Sequence, residues 1–528
     1  MRNSTMSGSG QQRMGGQPTF ILNEDTERTS GDDAQTSNIA AGKAVSESVR
    51  TTLGPRGMDK MLVSDGDVVI TNDGATILDE MDIEHPAAQM LSDVAETQEE
   101  EVGDGTTTAS VLSGELLSEA ESLLDDEVHP TTVVEGYHQA SEFAQEAIEE
   151  EVVATDLDDD QLLQVAESSM TGKGTGDLPA GDLAQTVVEA VRHGDGLGRG
   201  DITVHTQVGS SSSATDLVEG VIVDEDRVSE EMARSVTDAS IAVVEEDFEV
   251  AESNIDAEYQ VSNVDQLNAA LDAETDQLRE YADTLGASGA DVVFVDGDID
   301  DRVASFLVEQ GLLAFEGVDD DTIEDVRAAT GASRVGSVDT LEEEDLGEAE
   351  ALRVEKFGDE ELVLLEGGEA ATAVTIFARG GTEHVVDELE RGLTDALDVV
   401  TAALSLGGVV PGAGATETAV ANYVREAAAG VEGRRQLAVE AFADAIDVLP
   451  RTLAENTGLD PIDALVDLRG QHDAGTTAGI ISEGQTGTID DPVEYGVLDP
   501  AAVKREAVQS ATEAATMIVR IDDVIAAN

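Results

Sequence analysis

The sequence predicts a multidomain chain of α and α/β architecture, with a helical domain built from both termini and an α/β segment inserted between them. Three observations carry that expectation. The chain has 528 residues, and a single hydrophobic core stops growing at roughly 250–300 residues. Apolar residues recur at helical spacing near both ends, whereas the centre alternates short apolar runs with helical patterns. Hydrophobic residues make up 40% of the chain, enough to bury cores despite a large excess of acid.

Residues 1–17 are rich in Gly, Ser and Gln with no apolar core, so they read as a flexible tail rather than a signal peptide. A short apolar strand is expected at 19–22, and residues up to about 155 are mainly helical, with helices over 86–101 and from Thr106. In the centre, 291–296 is a buried strand, 299–310 a helix, 312–315 a second strand and 322–330 a second helix. A long helix over 382–406 aligns Val386, Leu389, Leu393, Leu397, Val400 and Leu404 in one stripe. Nearer the C-terminus, Ala438, Phe442, Ala445 and Leu449 form one helical stripe, and Val503, Ala507, Ala511, Ala514 and Ile518 another. Asp460-Pro461 is a helix start, with Asp as N-cap and Pro at the first helical position.

Charge excludes several functions. Lys and Arg total 28 against 114 Asp and Glu, and 28 − 114 = −86. Non-specific nucleic-acid binding needs clustered cations, and anionic membrane surfaces repel such a chain. With no cysteine there is neither a disulfide nor a thiolate site. The uncharged stretch 399–416 contains Gly407, Gly408, Pro411, Gly412 and Gly414, so it reads as a helix ending in a loop rather than a membrane span. A cytoplasmic location is expected. The acid is spread along the whole chain, which favours a surface suited to molar salt over an acidic tail that captures a basic partner.

Gly103-Asp104-Gly105-Thr106-Thr107-Thr108 lies at the start of a helical pattern. Glycines let a backbone approach a ligand closely, and free amides at a helix N-terminus favour an anion. The threonines add hydroxyl donors, and the carboxylate can share Mg²⁺ with a phosphate. A chain this acidic cannot hold a triphosphate on basic patches, so amides, hydroxyls and a metal must serve. The same residues also suit a plain capped turn. Residues 51–57 (TTLGPRG) and 72–76 (NDGAT) are further turns with glycine available. Neither fits the P-loop pattern. Lys173, one of only five lysines, stands between Gly172 and Gly174; ligand contact and solvated loop are equal readings. Asp395 falls about 180° from its helix's apolar stripe, so periodicity makes it a solvated acid.

The runs TLGPRGMDKMLV, VITNDGATIL, EVGDGTTTASVLSGELL, RGGTEHVVDELERGLTDAL, PRTLAENTGLDPIDALV and ATEAATMIVRIDDVIAA occur in this order. Together they resemble the group II chaperonins, and more narrowly the archaeal thermosome subunits, over roughly residues 18–527. The resemblance implies an equatorial ATPase domain at 18–156 and 412–528, and an intermediate hinge domain at 157–219 and 374–411. It implies an inserted apical α/β domain at 220–373, with a helical lid protrusion at about 246–276. ATP and Mg²⁺ are the implied ligands. Unfolded client proteins and other subunits of a homo- or hetero-oligomeric double ring are the implied partners. Asp104 matches the Mg²⁺-binding aspartate, with Gly105, Thr106, Thr107 and Thr108 around the phosphates. Leu53, Gly54 and Pro55 match the loop lining the nucleotide. Gly172 and Lys173 match the loop that senses the γ-phosphate, Asp499 the ribose contact, and Asp395 the aspartate that orients the attacking water. Asp395 and Lys173 belong to the implied hinge domain, so hydrolysis would require that domain to swing onto the nucleotide.

The chain also departs from the family pattern. The run Met61-Leu62-Val63-Ser64-Asp65-Gly66-Asp67 is one residue shorter than usual, with Asp65 as the second water-contacting aspartate and Ser64 the alternative. The glycine triplet expected against the nucleotide reads Gly412-Ala413-Gly414, and the usual GIN near the adenine site reads Gly479-Ile480-Ile481. Intact Asp104, Lys173 and Asp395 favour an active ATPase over a divergent ring subunit that binds clients with weak or no hydrolysis. A metabolic phosphotransferase would need catalytic groups that the sequence does not offer.

Overall fold

The computed structural model describes residues 26–64, 67–173, 178–193, 199–250, 264–357, 360–367, 373–482 and 486–527. The expected strand at 19–22, Asp65 and residues 251–263 of the expected lid lie outside the described residues.

The two ends of the described residues meet, Thr26–Ser30 pairing antiparallel with Asp523–Ala527. Helices Asp32–Val49, Pro86–Val102, Thr106–Asp125 and Pro130–Glu150 from the first part share one core with Ala415–Ala428, Arg435–Ile446 and Ala501–Val519 from the last. That core is largely Ala and Val, so helices approach closely. Where Thr106–Asp125 crosses Asp32–Val49, a Cβ on Gly114 would stand 2.2 Å from the Ser46 side chain; only glycine permits the crossing. Tyr137 fills the centre, its ring edge-on to Phe442 at 5.6 Å and its hydroxyl donating to the Leu116 carbonyl at 2.8 Å. These contacts hold the Thr106–Asp125 helix in place.

The stripe from Ala438 to Leu449 is not one helix. It divides into Arg435–Ile446 and Val448–Asn456 at Asp447. Pro450 has no N–H to donate to the preceding turn, so the hydrogen-bond ladder restarts there. Asp460 caps Pro461–Asp473 as the sequence predicts, accepting from Ile462 and Asp463 N–H at 3.0 Å each.

The inserted centre is a mixed sheet in the order Gly220–Val223, Glu360–Gly367, Gly347–Phe357, Ser235–Val244, Val292–Val295, Leu313–Phe315. The last three strands run parallel, and Asp301–Gln310 and Asp320–Thr330 are the α/β helices the sequence predicts. The first starts two residues later than expected because Asp300 serves as its N-cap. Phe294 stacks on Phe315 at 4.8 Å in this second core. Val264–Ser288 is a long helix at its flank, extending beyond the lid limit expected at 276.

A third core joins Asp159–Met170, Ala180–Arg192 and Glu383–Ser405 with a small sheet of Ile202–Val208, Val374–Gly380 and Asp216–Val218. It meets the helical core where Ala154 bridges Val409. At that crossing Gly408, at φ 85, passes so close that a Cβ would stand 2.1 Å from the Ala154 carbonyl oxygen.

Candidate functional site

A cavity of about 440 Å³ lies where the helical core meets the third core. Three helix N-termini face it, those of Thr106–Asp125, Ala415–Ala428 and Ala501–Val519, and none has a side-chain cap. Uncapped amides at a helix start carry partial positive charge and seek acceptors. In a chain of net charge −86, these helix starts add positive potential to that of Lys173 and Lys504, the two lysines lining the cavity.

Gly103 and Gly105, at φ 70 and 86, turn the chain sharply into the first of these helices. Asp104 between them lines the cavity, its Oδ1 accepting from Gly105 N–H at 2.7 Å and its carbonyl accepting from Gln98 at 2.7 Å. Thr106, Thr107 and Thr108 line the same wall. Asp73 faces them, accepting from Thr76 N–H at 2.7 Å and from the Thr106 hydroxyl at 3.1 Å. Leu53, Gly54 and Pro55 form the adjoining wall, where Asn456 donates to the Leu53 carbonyl at 2.9 Å.

Gly172 itself does not line the cavity. At φ 91 it packs against Pro55, and its carbonyl accepts from Asn72 at 2.6 Å, which brings Lys173 into the cavity. Lys173 Nζ lies 2.5 Å from Asp395 Oδ2. Burial opposes the Lys173 charge, but Asp395, Asp104 and Asp73 outweigh it and hold the ammonium above the usual lysine range.

Asp395 is not a solvated acid. It is 9% exposed, because the polar face of its helix is covered by the Lys173 loop. Burial pushes its carboxyl up to about 6 against the pull of Lys173, with Asp73 and Asp104 adding to the rise. It borders a neighbouring cleft of about 360 Å³ rather than the main cavity, reaching the latter through Lys173.

At the far end, Asp499 Oδ2 pairs with Lys504 Nζ at 2.6 Å, and Lys504 pairs with Glu417 Oε1 at 2.7 Å. Glu417 Oε2 and Ser169 Oγ, both on residues lining the cavity, are buried without a hydrogen-bond partner. Buried polar atoms are rarely left so unless a ligand or water satisfies them. Gly412 stands behind Asp499 rather than in the cavity, whereas Ala413 lines it and keeps the left-handed φ of 57 that a glycine would take.

Sequence reasoning missed Lys504, Glu417 and the facing role of Asp73. Lys504 carries the same signal as Lys173, rarity among five lysines. Glu417 carried none.

A Mg²⁺–nucleotide fits these residues. Among the described residues no three His, Cys, Asp or Glu side chains cluster as a metal cage. Asp104 and Asp73 would offer carboxylates, leaving phosphate oxygens and water to complete an octahedral shell, as Mg²⁺ prefers. The unsatisfied atoms and uncapped helices suit a polyanionic ligand.

The family model for the TCP-1/cpn60 chaperonin family matches residues 45–528. Thermosome subunit 3 of Haloferax volcanii is 63% identical over 517 residues, covering 97% of this chain and 99% of that protein. Thermosome subunit alpha of Halobacterium salinarum is 51% identical over 521 residues, covering 98% and 92% respectively. A thermosome subunit of Methanopyrus kandleri is 49% identical over 522 residues, covering 97% and 95%. The chain belongs to the TCP-1/cpn60 chaperonin family, in its group II, thermosome branch. Its activity is therefore ATP hydrolysis in the service of protein folding. No helix among the described residues is long and apolar enough to cross a membrane.

Proposed function

We propose that Mg-ATP occupies the 440 Å³ cavity and that its hydrolysis is coupled to docking of the third core on the helical one, driving closure of a built-in lid over an unfolded client. In this reading the helical body at 18–156 and 412–528 is the equatorial ATPase domain. The body at 157–219 and 374–411 is the hinge, and 220–373 is the apical client-binding domain. The amides and hydroxyls of Gly105 to Thr108 hold the phosphates, and Asp104 holds the metal. Bound Mg²⁺ supplies charge neutralisation at the phosphates. Lys173 contacts the terminal phosphate, and Asp395 orients the attacking water. Asp499 contacts the ribose, with Leu53, Gly54, Pro55 and Ala413 shaping the walls and Gly412 backing Asp499. Asp65 is the second candidate for contacting that water.

One observation carries the reading: Lys173 links Asp395, on one core, to the cavity walled by Asp104, on the other. Chemistry is thereby tied to closure, since the site is complete only when the two cores meet. Ring assembly, as a homo- or hetero-oligomer, is supported by the exposed hairpin Lys60–Ser64 and Asp67–Thr71. Met61 and Val63 there are 66% and 69% exposed, an apolar surface suited to a neighbouring subunit.

Single-turnover ATPase in molar KCl tests the reading. Asp395→Ala should bind nucleotide normally while hydrolysing it about 10²–10⁴-fold more slowly. Undiminished hydrolysis in that variant removes Asp395 from the mechanism.

A further inference from the structure

Helix Glu383–Ser405 carries a second carboxylate one turn beyond Asp395. Residues three apart share a helix face, so Asp398 points to the same side. Its side chain rests on Gly103, where an added Cβ would stand 2.1 Å from Asp398 Cβ. Gly103 is the left-handed C-cap of helix Pro86–Val102, and the next residue is Asp104. Arg199 Nε donates to Asp398 Oδ1, while Arg199 Nη1 donates to the Ile202 carbonyl at 2.9 Å. The guanidinium is thus fixed to the small sheet of the third core.

The charges around this contact explain why a cation is needed. Asp73, Asp104, Asp395 and Glu99 all stand near the same interface. Burial, then Asp73, Asp395 and Asp398, push the Glu99 carboxyl up to about 7. An unpaired Asp398 would add repulsion where the two cores must approach. A side chain at 103 would hold them apart by simple bulk.

We propose that Asp398, paired with Arg199 and seated on Gly103, is a positioning residue that sets how closely Asp395 approaches Asp104. The proposal rests on the assignment of Asp395 to the attacking water. Lys173 pairs with Asp395 and Arg199 pairs with Asp398, so one helix face docks through two carboxylates held by separate loops. Only the first of these touches the reacting groups. The second fixes the depth of docking, and a misplacement on the order of 1 Å costs about 100-fold in rate.

Single-turnover hydrolysis by the assembled protein in molar KCl, with nucleotide affinity measured separately, tests the proposal. Asp398→Ala and Arg199→Gln are expected to slow hydrolysis about 10- to 100-fold, with affinity for ATP changed less than about twofold. Arg199→Lys should recover most of the rate. Asp398→Asn preserves the shape over Gly103 and should show the same direction of change if Asp398→Ala fails to fold. In an Asp395→Ala background, Asp398→Ala should cause no further loss, because nothing remains to be positioned. Equal losses in both backgrounds, or a loss matched by weaker nucleotide binding, would mark a merely structural contact and overturn the proposal. So would unchanged rates in Asp398→Ala and Arg199→Gln. Wild-type hydrolysis in Asp395→Ala alone would instead sink the Asp395 assignment, so the two failures are read separately.

Discussion

Ala413 holds a backbone conformation meant for glycine. It lines the cavity at a φ of 57, flanked in sequence by Gly412 and Gly414, and Gly479 makes room for its methyl group. An L side chain costs about 1–2 kcal/mol there, while glycine loosens the unfolded chain by about 0.4–1 kcal/mol. Ala413→Gly should therefore stabilise the protein by about 0.5–1 kcal/mol, read as a raised thermal midpoint in molar KCl. A lowered midpoint would show that the methyl group's packing outweighs the strain. Lys504 is the opposite case. Its ammonium is the shared partner of Glu417 and Asp499, with side chains only 13%, 10% and 27% exposed. Burial opposes its charge, yet the two carboxylates hold it well above the usual lysine range. Lys504→Met strands those acids in the cavity and should cost about 3–5 kcal/mol in denaturant unfolding; a change near zero would mean that solvent reaches the pair freely. Such residues divide what was legible in the site from what was not. Gly103 to Thr108 could be read because glycine, acid and hydroxyls lie side by side in one turn. Asp395 could not, because its burial is imposed by the Lys173 loop, 222 residues away in sequence. Glu417 and Lys504, 87 residues apart, meet only through the packing of two helices.

Between elements, the most informative departure is the break at Asp447. Its carboxylate, 2% exposed, accepts from both Arg425 and Arg469. Those arginines sit on Ala415–Ala428 and Pro461–Asp473, so one buried acid ties both helices to the junction between Arg435–Ile446 and Val448–Asn456. Asp447→Ala leaves two guanidinium groups without their shared partner, and breaking a buried pair costs about 3–5 kcal/mol. Denaturant midpoints should fall accordingly, while Asp460→Ala, which removes only a cap, should cost about 1 kcal/mol. Equal effects would mean that Asp447 is no more than a helix boundary. Periodicity located the stripe of Arg435–Ile446 but ran it on through Leu449, across this junction, and it located Val292–Val295 because a fully buried strand is a continuous apolar run. It did not reveal the small sheet of the third core. There Ile202–Val208 pairs with Val374–Gly380 across some 170 residues of intervening chain, and no local pattern announces such a partner. Resemblance, not spacing, supplied that division of the chain.

For the whole molecule, the governing quantity is surface charge. Spreading 86 net negative charges over 27038 Å² gives 27038/86, about 310 Å² per charge, so neighbours stand roughly 18 Å apart. The Debye length is about 3 Å in molar salt and about 10 Å at 0.1 M. Neighbouring charges are thus about six screening lengths apart in the first case and fewer than two in the second. Repulsion absent in molar salt therefore acts at 0.1 M between every pair of neighbours, and it disfavours compact states and association of like-charged subunits. Dialysis from molar to about 0.1 M KCl should lower the helical circular dichroism signal or dissociate the particle. Screening can be told apart from strengthened apolar burial by the choice of rescuing agent. NaCl and KCl at equal ionic strength screen alike, whereas sucrose strengthens burial without screening. Recovery in either salt but not in sucrose is the expected result. Equal recovery in sucrose would place the weakness in the Ala-rich cores, and an intact particle at low salt would show that the acid serves something other than the solvent.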